Sequence, residues 1–309
     1  MHKGVRFMSF MVPTWDMFIQ SAANALSLGS LYALVAIGYT MVYGILRLIN
    51  FAHSDIFMMS MYFMFYMVTI FYLPWYIAFI IVIAATGLLG MLIERTAYKP
   101  LRDAPRTSLL ISSIGVSYLL ENLAVVVFSG IPKQFPEIPF FQDIIEIGSV
   151  RIARLVVIVP LLTAALVAVL LFLLNKTKTG MAMRAVSRDY ETARLMGINI
   201  NKTITITFCI GSMLAAVGAI MWGLKYPKIE PYVGIMPGLK CFIAAVIGGI
   251  GNIKGAVVGA LLLGFIEIMV VLFLPSLSGY KDAFAFIMLI VILLVRPTGL
   301  LGDKSTNKV

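Results

Sequence analysis

Hydrophobic and polar positions along the chain fall into long apolar blocks, each about the length of a bilayer crossing, divided by short polar connections. The clearest block is Leu155–Leu174, which carries no charged residue. A helix of about 20 residues, rising 1.5 Å per residue, matches the roughly 30 Å hydrocarbon core. Ile56–Leu73, Trp75–Ile93, Ser108–Phe128 and Ile204–Leu224 read the same way, and a shorter apolar run, Ala283–Val295, ends the series. Two regions divide less simply. Trp15–Leu46 is too long for one straight crossing and short for two, and Met236–Leu274 is interrupted by GGIGNIKG at Gly248–Gly255. Both are expected to be broken or re-entrant helices, which lipid tolerates only where freed backbone groups are buried in protein or face a wet cavity. The fold class expected is an all-α polytopic membrane protein. One transmembrane domain spans residues 1–309, with roughly eight to ten crossings.

Composition agrees. The chain is 61% hydrophobic and 12% charged, with a mean hydropathy of +0.99, whereas soluble domains are about a quarter charged. The net charge of +10 does not indicate nucleic acid, because Lys and Arg are spread between apolar runs without interleaved aromatic clusters. They serve better as topology signals. With the connections after Ile93 and Leu174 cytoplasmic, Arg95, Lys99, Arg102, Arg106, Lys176, Lys178, Arg184, Arg188, Arg194 and Lys202 lie inside. Counting each awkward region as two segments also brings both termini inside, with Lys3, Arg6, Lys254, Arg296, Lys304 and Lys308; Arg47 is unplaced, and Arg151, Arg154, Lys225 and Lys228 fall outside. Cys209 and Cys241 sit within apolar runs as small hydrophobes, and no metal motif or convincing cleavable signal is present. Small residues four apart (Ser21, Ala25, Gly29 and Ala33; Gly211, Ala215 and Ala219; Gly255 and Gly259; Ala260 and Gly264) form ridges suited to close helix packing.

One polar stretch is longer than a connection needs to be: MAMRAVSRDYETARLMGINI, Met181–Ile200, within a cytoplasmic loop at 175–203. Met183, Val186, Tyr190, Ala193 and Gly197 recur at spacings of three and four, and Arg184, Arg188, Glu191 and Arg194 fall on the other side. One or two short helices are expected, with Ser187 available as a cap and Gly197 as a left-handed terminus. The small apolar face, of Ala, Gly, Met and one Tyr, suits close protein contact better than a lipid surface.

The residues ETARLMG, Glu191–Gly197, resemble the "EAA" loop of ABC-importer permeases, with Glu191, Ala193 and Gly197 matching and Thr192 replacing a small residue. The wider run TGMAMRAVSRDYETARLMGIN is accompanied by LGSLYALVAIGYTMVYGILRLINFAHSDIFMM and AAVIGGIGNIKGAVVGALLLGFIE. Together these resemble the branched-chain amino-acid permease family of LivH type over nearly the whole chain. The resemblance implies a type II ABC-importer permease bundle with no cofactor or catalytic site of its own. ATP and Mg would be bound on two cytoplasmic ABC ATPase subunits. Beside them the resemblance implies a second related permease subunit, an extracytoplasmic solute-binding protein and a bacterial cytoplasmic (inner) membrane location. It makes Arg188, Asp189, Glu191, Ala193 and Gly197 the expected ATPase-coupling residues, and Leu, Ile and Val the expected solutes, with urea, short amides or other amino acids as alternatives.

RLINFAHSDIFM, Arg47–Met58, sets Asn50, His53, Ser54 and Asp55 beside apolar spans. Ionisable groups at membrane depth are costly and by default face a cavity or one another. His53 and Asp55 are two apart, too close for one helical face, so an unwound segment is expected. Lining a solute path and capping a helix at the membrane edge stand level as roles for these residues. Glu121 and Glu267, inside apolar segments, either line that path or hydrogen-bond between helices. GGIGNIKG lacks the spacing of a phosphate loop and is expected to reverse the chain between two half-depth helices. An intramembrane enzyme using His53 with Asp55, or Glu121 with Glu267, is the competing class. It lacks H-E-x-x-H and G-x-S-x-G signatures, and the chain has two histidines in all. An ion-driven transporter or a solute channel would differ in needing no ATP.

Overall fold

A computed structural model describes residues 13–102, 104–147 and 150–302; Lys3, Arg6, Lys304 and Lys308 lie outside the described residues. Helix α1 (Trp15–Leu46) is one unbroken 32-residue helix, about 48 Å long. The expectation of a broken or re-entrant region here is therefore overturned. The physical reason is burial: the helix runs through the middle of the bundle, with 94% of its most apolar window inside protein. Its excess length projects at the Trp15 end, where Trp15 is 74% exposed.

The break instead follows at Arg47–Ala52, opened by Arg47 in the left-handed region at φ 53°. Helices α2 (His53–Thr69) and α3 (Trp75–Ile93) come next, α3 running on through a π turn at Glu94–Tyr98 and a 3-10 turn at Lys99–Leu101. Helix α4 (Arg106–Phe128) leads to strand β1 (Lys133–Gln134), the short α5 (Pro139–Gln142), and strands β2 (Ile144–Ile147) and β3 (Val150–Ala153). Then come α6 (Arg154–Lys176), α7 (Lys178–Arg188), α8 (Tyr190–Leu195), α9 (Ile200–Lys225) and strand β4 (Lys228–Ile229). Helices α10 (Ile235–Gly248), α11 (Ile253–Phe273) and α12 (Lys281–Val295) close the order, a 3-10 turn at Pro275–Tyr280 leading into α12. The strands form two antiparallel ribbons, β1 with β4 and β2 with β3, which the apolar pattern did not announce. Seven helices among the described residues are long and apolar enough to cross a membrane, with the shorter α2 and α10 packed among them.

α1 is clasped between α9 and α11. The ridges of small residues make this possible: a Cβ on Gly29 would lie 2.7 Å from the Cα of Leu261, and one on Gly264 would lie 2.5 Å from the Cα of Gly29. Backbones this close gain dispersion contacts that lipid chains cannot supply. The second interrupted region does break, at Gly249 and Gly251 with φ 107° and 95°. Its two arms are unequal, however: α10 has 14 residues and α11 has 21, so the expectation of two half-depth helices holds for α10 alone. The turn is pinned by the last described residues, Leu300 N–H donating to Ile247 O at 2.8 Å and Leu301 N–H to Gly248 O at 2.9 Å.

Arg47, Arg106, Arg188, Arg184 and the Gly251 turn gather at one end. Gln20 on α1 donates to Arg151 O at the other. Lys and Arg excess marks the first end as cytoplasmic. Arg47 is thereby placed inside. Because α1 is a single crossing, Trp15 stands at the extracytoplasmic end, and the expectation that two segments here bring the chain's start inside fails at that residue.

Candidate functional site

α2 and α10 are each too short to cross the hydrocarbon core alone, at about 26 and 21 Å, and their starting ends meet. Ser54 in the first turn of α2 packs on two glycines of α10: a Cβ on Gly234 would lie 2.9 Å from the Ser54 carbonyl carbon, and one on Gly238 would lie 3.3 Å from the Ser54 Cα. Neither helix start has a side-chain cap, the N-cap residues being Ala52 and Gly234. Beside this junction lies a cavity of about 510 Å³. Its polar lining comprises Ser54, Ser117, Glu121 and the tyrosines Tyr39, Tyr118 and Tyr232; Ile114, Ile235, Leu239 and Phe242 supply much of the apolar wall.

Glu121 is thus the one of the five sequence-predicted path residues that lines this cavity. It stands one helical turn beyond Ser117 on α4 and is 7% exposed. Asp55 lies behind the wall, its Oδ2 accepting a hydrogen bond from Ser117 Oγ at 2.5 Å. His53 points the other way, its ring 4.6 Å from that of Tyr39 and pressed on Gly38, where a Cβ would approach to 2.5 Å of the imidazole. Both belong to the first turn of α2, which corrects the expectation that they sit in an unwound segment: opposite helical faces let each find a separate partner. Asn50 does occupy the unwound stretch, and its Oδ1 accepts from Tyr98 Oη at 2.5 Å on the cytoplasmic side.

Glu267 belongs to a different constellation. Its Oε2 accepts from Tyr32 Oη at 2.8 Å and its Oε1 from Lys240 Nζ at 2.8 Å. Lys240 also reaches Asp282 at 2.6 Å, and Lys281 stands 3.5 Å from Glu267. Four helices, α1, α10, α11 and α12, are joined by this network. Sequence reading named Glu267 and passed over Lys240, although a lone lysine in an apolar run is itself the signal, since it must find an anion. Glu121 and Glu267 therefore have separate surroundings, as do His53 and Asp55, and neither pair forms an acid and base facing one substrate.

On the cytoplasmic face the stretch forms two short helices, α7 and α8. Asp189 breaks the path with an extended backbone (φ −150°, ψ 119°) and caps α8, its carboxylate accepting from the amides of Glu191 and Thr192 at 2.9 and 3.2 Å. Hydrogen bonds from the Thr192 hydroxyl and amide hold the Asp189 carboxyl below the usual carboxylate range. Ser187, the expected cap, donates instead to Arg184 O. Gly197 does end the unit at φ 78°. Met183, Val186 and Ala193 are buried, α7 packing on α1, α6 and α9 and α8 on α9. The small face thus does make close protein contact, and the contact is with its own bundle. What faces water is Arg184, Arg188, Glu191 and Arg194, with Leu195 and Met196 at 85% and 77% exposure. Nearby, buried Glu94 binds Arg102 and accepts from Thr205 Oγ1 at 2.6 Å, while Arg102 also reaches Asn201. The foot of α3 is so fastened to the start of α9.

A multi-helix membrane bundle with an amphiphilic cavity open on its surface and a cytoplasmic helix pair packed beneath it has the form expected of a permease subunit. The family model for the branched-chain amino acid transport system permease component matches residues 21–293. BraD of Pseudomonas aeruginosa, a high-affinity branched-chain amino acid transport system permease protein, is 39% identical, with 94% of this chain and 98% of that protein covered. LivH of Salmonella typhimurium, with the same printed description, is 38% identical over the same shares. Among solved structures, PsaBC from Streptococcus pneumoniae in complex with Fab covers 89% of this chain and 91% of its own at 16% identity and a TM-score of 0.48. The chain belongs to the branched-chain amino acid transport permease family, and is a transport subunit, not an enzyme.

Proposed function

We propose that this chain forms the membrane path of an ATP-driven importer for leucine, isoleucine and valine in a bacterial cytoplasmic membrane. The observation that carries the reading is the cavity at the α2–α10 junction, whose two ends suit the two charges of an amino acid. The helix starts at Ala52 and Gly234, which have no side-chain cap, present the partial positive charge of their helices, which favours a carboxylate. Glu121 offers the complementary anion to an ammonium group. Between them Ile114, Ile235, Leu239 and Phe242 give an aliphatic side chain an apolar wall; its volume falls in the range of small-molecule sites. The relatives BraD and LivH, both named for branched-chain amino acid transport, support the same substrate class.

ATP and Mg belong, in this proposal, to two cytoplasmic ATPase subunits that grip the water-facing side of α7 and α8: Arg188, Glu191, Arg194 and the exposed Leu195–Met196 tip. Asp189 shapes the grip as a cap, Ala193 anchors it from beneath, and Gly197 ends it. A second related permease would cover the apolar α4 surface beside the cavity, where Ile111, Tyr118 and Leu119 are 62–67% exposed. An extracytoplasmic solute-binding protein would deliver substrate to the opposite face. Asp55 and His53 support the path from behind its wall through Ser117 and Tyr39, and Asn50 and Glu267 brace the helices around it.

Uptake of labelled leucine into vesicles, at matched protein levels, tests the reading through Glu121→Gln. Loss of the ammonium partner should raise the half-saturating leucine concentration roughly tenfold, the scale of one charged hydrogen bond, while ATPase activity survives. Unchanged uptake would remove the cavity from the path.

A further inference from the structure

Lys225, the last residue of α9, has an ammonium group that is shut from solvent and meets no hydrogen-bond acceptor. Its neighbourhood explains why none is available. The Glu267 carboxylate is already taken by Tyr32, Lys240 and Lys281, and Lys240 also lies 2.6 Å from Asp282. Lys225 is thus left as an unpaired positive charge beside the Glu267 cluster. The C-terminal end of α9 favours a cation there but supplies no counter-ion.

Beside Lys225 lies a cavity of about 350 Å³ at the extracytoplasmic ends of α1 and α11. Ser21 and Asn24 bring polar side chains from α1; Met17, Ile268, Val271 and Leu272 make the rest of the wall apolar. Trp15, 74% exposed, and Tyr226, 38% exposed, stand at the same end, the depth at which aromatic side chains settle at a membrane interface. We infer that this cavity holds the phosphate of an anionic phospholipid from the outer leaflet. Lys225, Ser21 and Asn24 receive the phosphate oxygens, and the glycerol and upper acyl chain lie along Met17, Ile268, Val271 and Leu272. A free phosphate satisfies the lysine but leaves the apolar wall facing water, which argues for the lipid as the source. Bound there, the lipid neutralises the unpaired charge and fills the seam between the central helix and α11.

The test uses the full transporter reconstituted in phosphatidylcholine nanodiscs, with phosphatidylglycerol titrated in one arm and inorganic phosphate added in another. Thermal midpoint and lipid retained in native mass spectrometry are read in each. Phosphatidylglycerol should raise the midpoint of the unaltered protein and stay bound. Lys225→Met should weaken its apparent binding by roughly fivefold or more, the worth of one lysine near a membrane surface, and Lys225→Arg should keep it. Val271→Trp, which fills the cavity without changing charge, should show the same loss and stands in if Lys225→Met does not fold. Equal phosphatidylglycerol responses in the unaltered protein and either loss variant overturn the proposal. So does a phosphate arm that matches the lipid arm, because the ligand is then free phosphate.

Discussion

Lys240 and Glu267 show what one buried charge requires of its surroundings. Their side chains are 8% and 3% exposed and 2.8 Å apart, in a medium where neither survives alone. Removing Lys240 leaves buried Glu267 with only Tyr32 and the longer Lys281 contact, at a cost approaching the roughly 3–5 kcal/mol of a broken buried pair, whereas replacing both by apolar groups of similar volume is often tolerated. Lys240→Met should therefore lower the thermal midpoint of the purified protein sharply, and Lys240→Met combined with Glu267→Leu should recover much of the loss. A double variant as unstable as the single one would show that the ions contribute more than mutual neutralisation. Half of this pair was visible in the sequence: the carboxylate stood out in LLLGFIEIMV, while its lysine partner lies 27 positions earlier and no spacing rule links them.

Elements differ according to where they begin. Four helices that start in cytoplasmic water carry side-chain caps, Thr177 for α7, Asp189 for α8, Asn199 for α9 and Asn252 for α11, while α4 begins there behind Pro105 without one. The starts of α2 and α10, inside the bundle, have no side-chain cap, and the amides of His53, Asp55 and Ile235 turn back to backbone carbonyls instead. Close approach is the other rule at this scale. Gly264 lets α11 rest on α1, and any Cβ there meets the Gly29 backbone, where yielding means moving a helix. Gly264→Val should cost about 1–3 kcal/mol, the usual range for overpacking, and reduce the folded fraction seen by size-exclusion chromatography. Gly115, with nothing within 4 Å of its added Cβ in this chain, is the contrast: Gly115→Ala should not lower the folded fraction, since Ala also favours the helix. The small-residue ridges were legible because a spacing of four is local. Which ridge meets which was not.

At the scale of the whole molecule, mechanical continuity is the feature that matters. The α7–α8 unit is fastened beneath by Met183, Val186 and Ala193, and Glu94 and Arg102 tie α3 to the start of α9. In the proposed coupling, a push on the exposed tip would pass through these contacts to α1, α6 and α9, as a rigid-body transition requires. Gly197 closes that tip in open space at φ 78°, so a side chain there meets strain without a clash, about 1–2 kcal/mol. Gly197→Val should leave membrane insertion and basal ATP hydrolysis near normal and cut leucine uptake severalfold. Normal uptake per ATP hydrolysed would count against the tip as the point of coupling.

The sequence by itself determined the membrane class, the crossings at α3, α4, α6 and α9, the reversal at Gly249–Gly251, the cytoplasmic end and the short helices within the long cytoplasmic connection. All follow from composition and short-range periodicity, which lipid and water enforce residue by residue. Only the tertiary structure decided that Trp15–Leu46 is one buried helix, that the small face of α7–α8 looks inward, that His53 and Asp55 part company, and that Glu121 faces the cavity. Each of these depends on what lies opposite, and neighbours distant in sequence leave no mark on a local pattern.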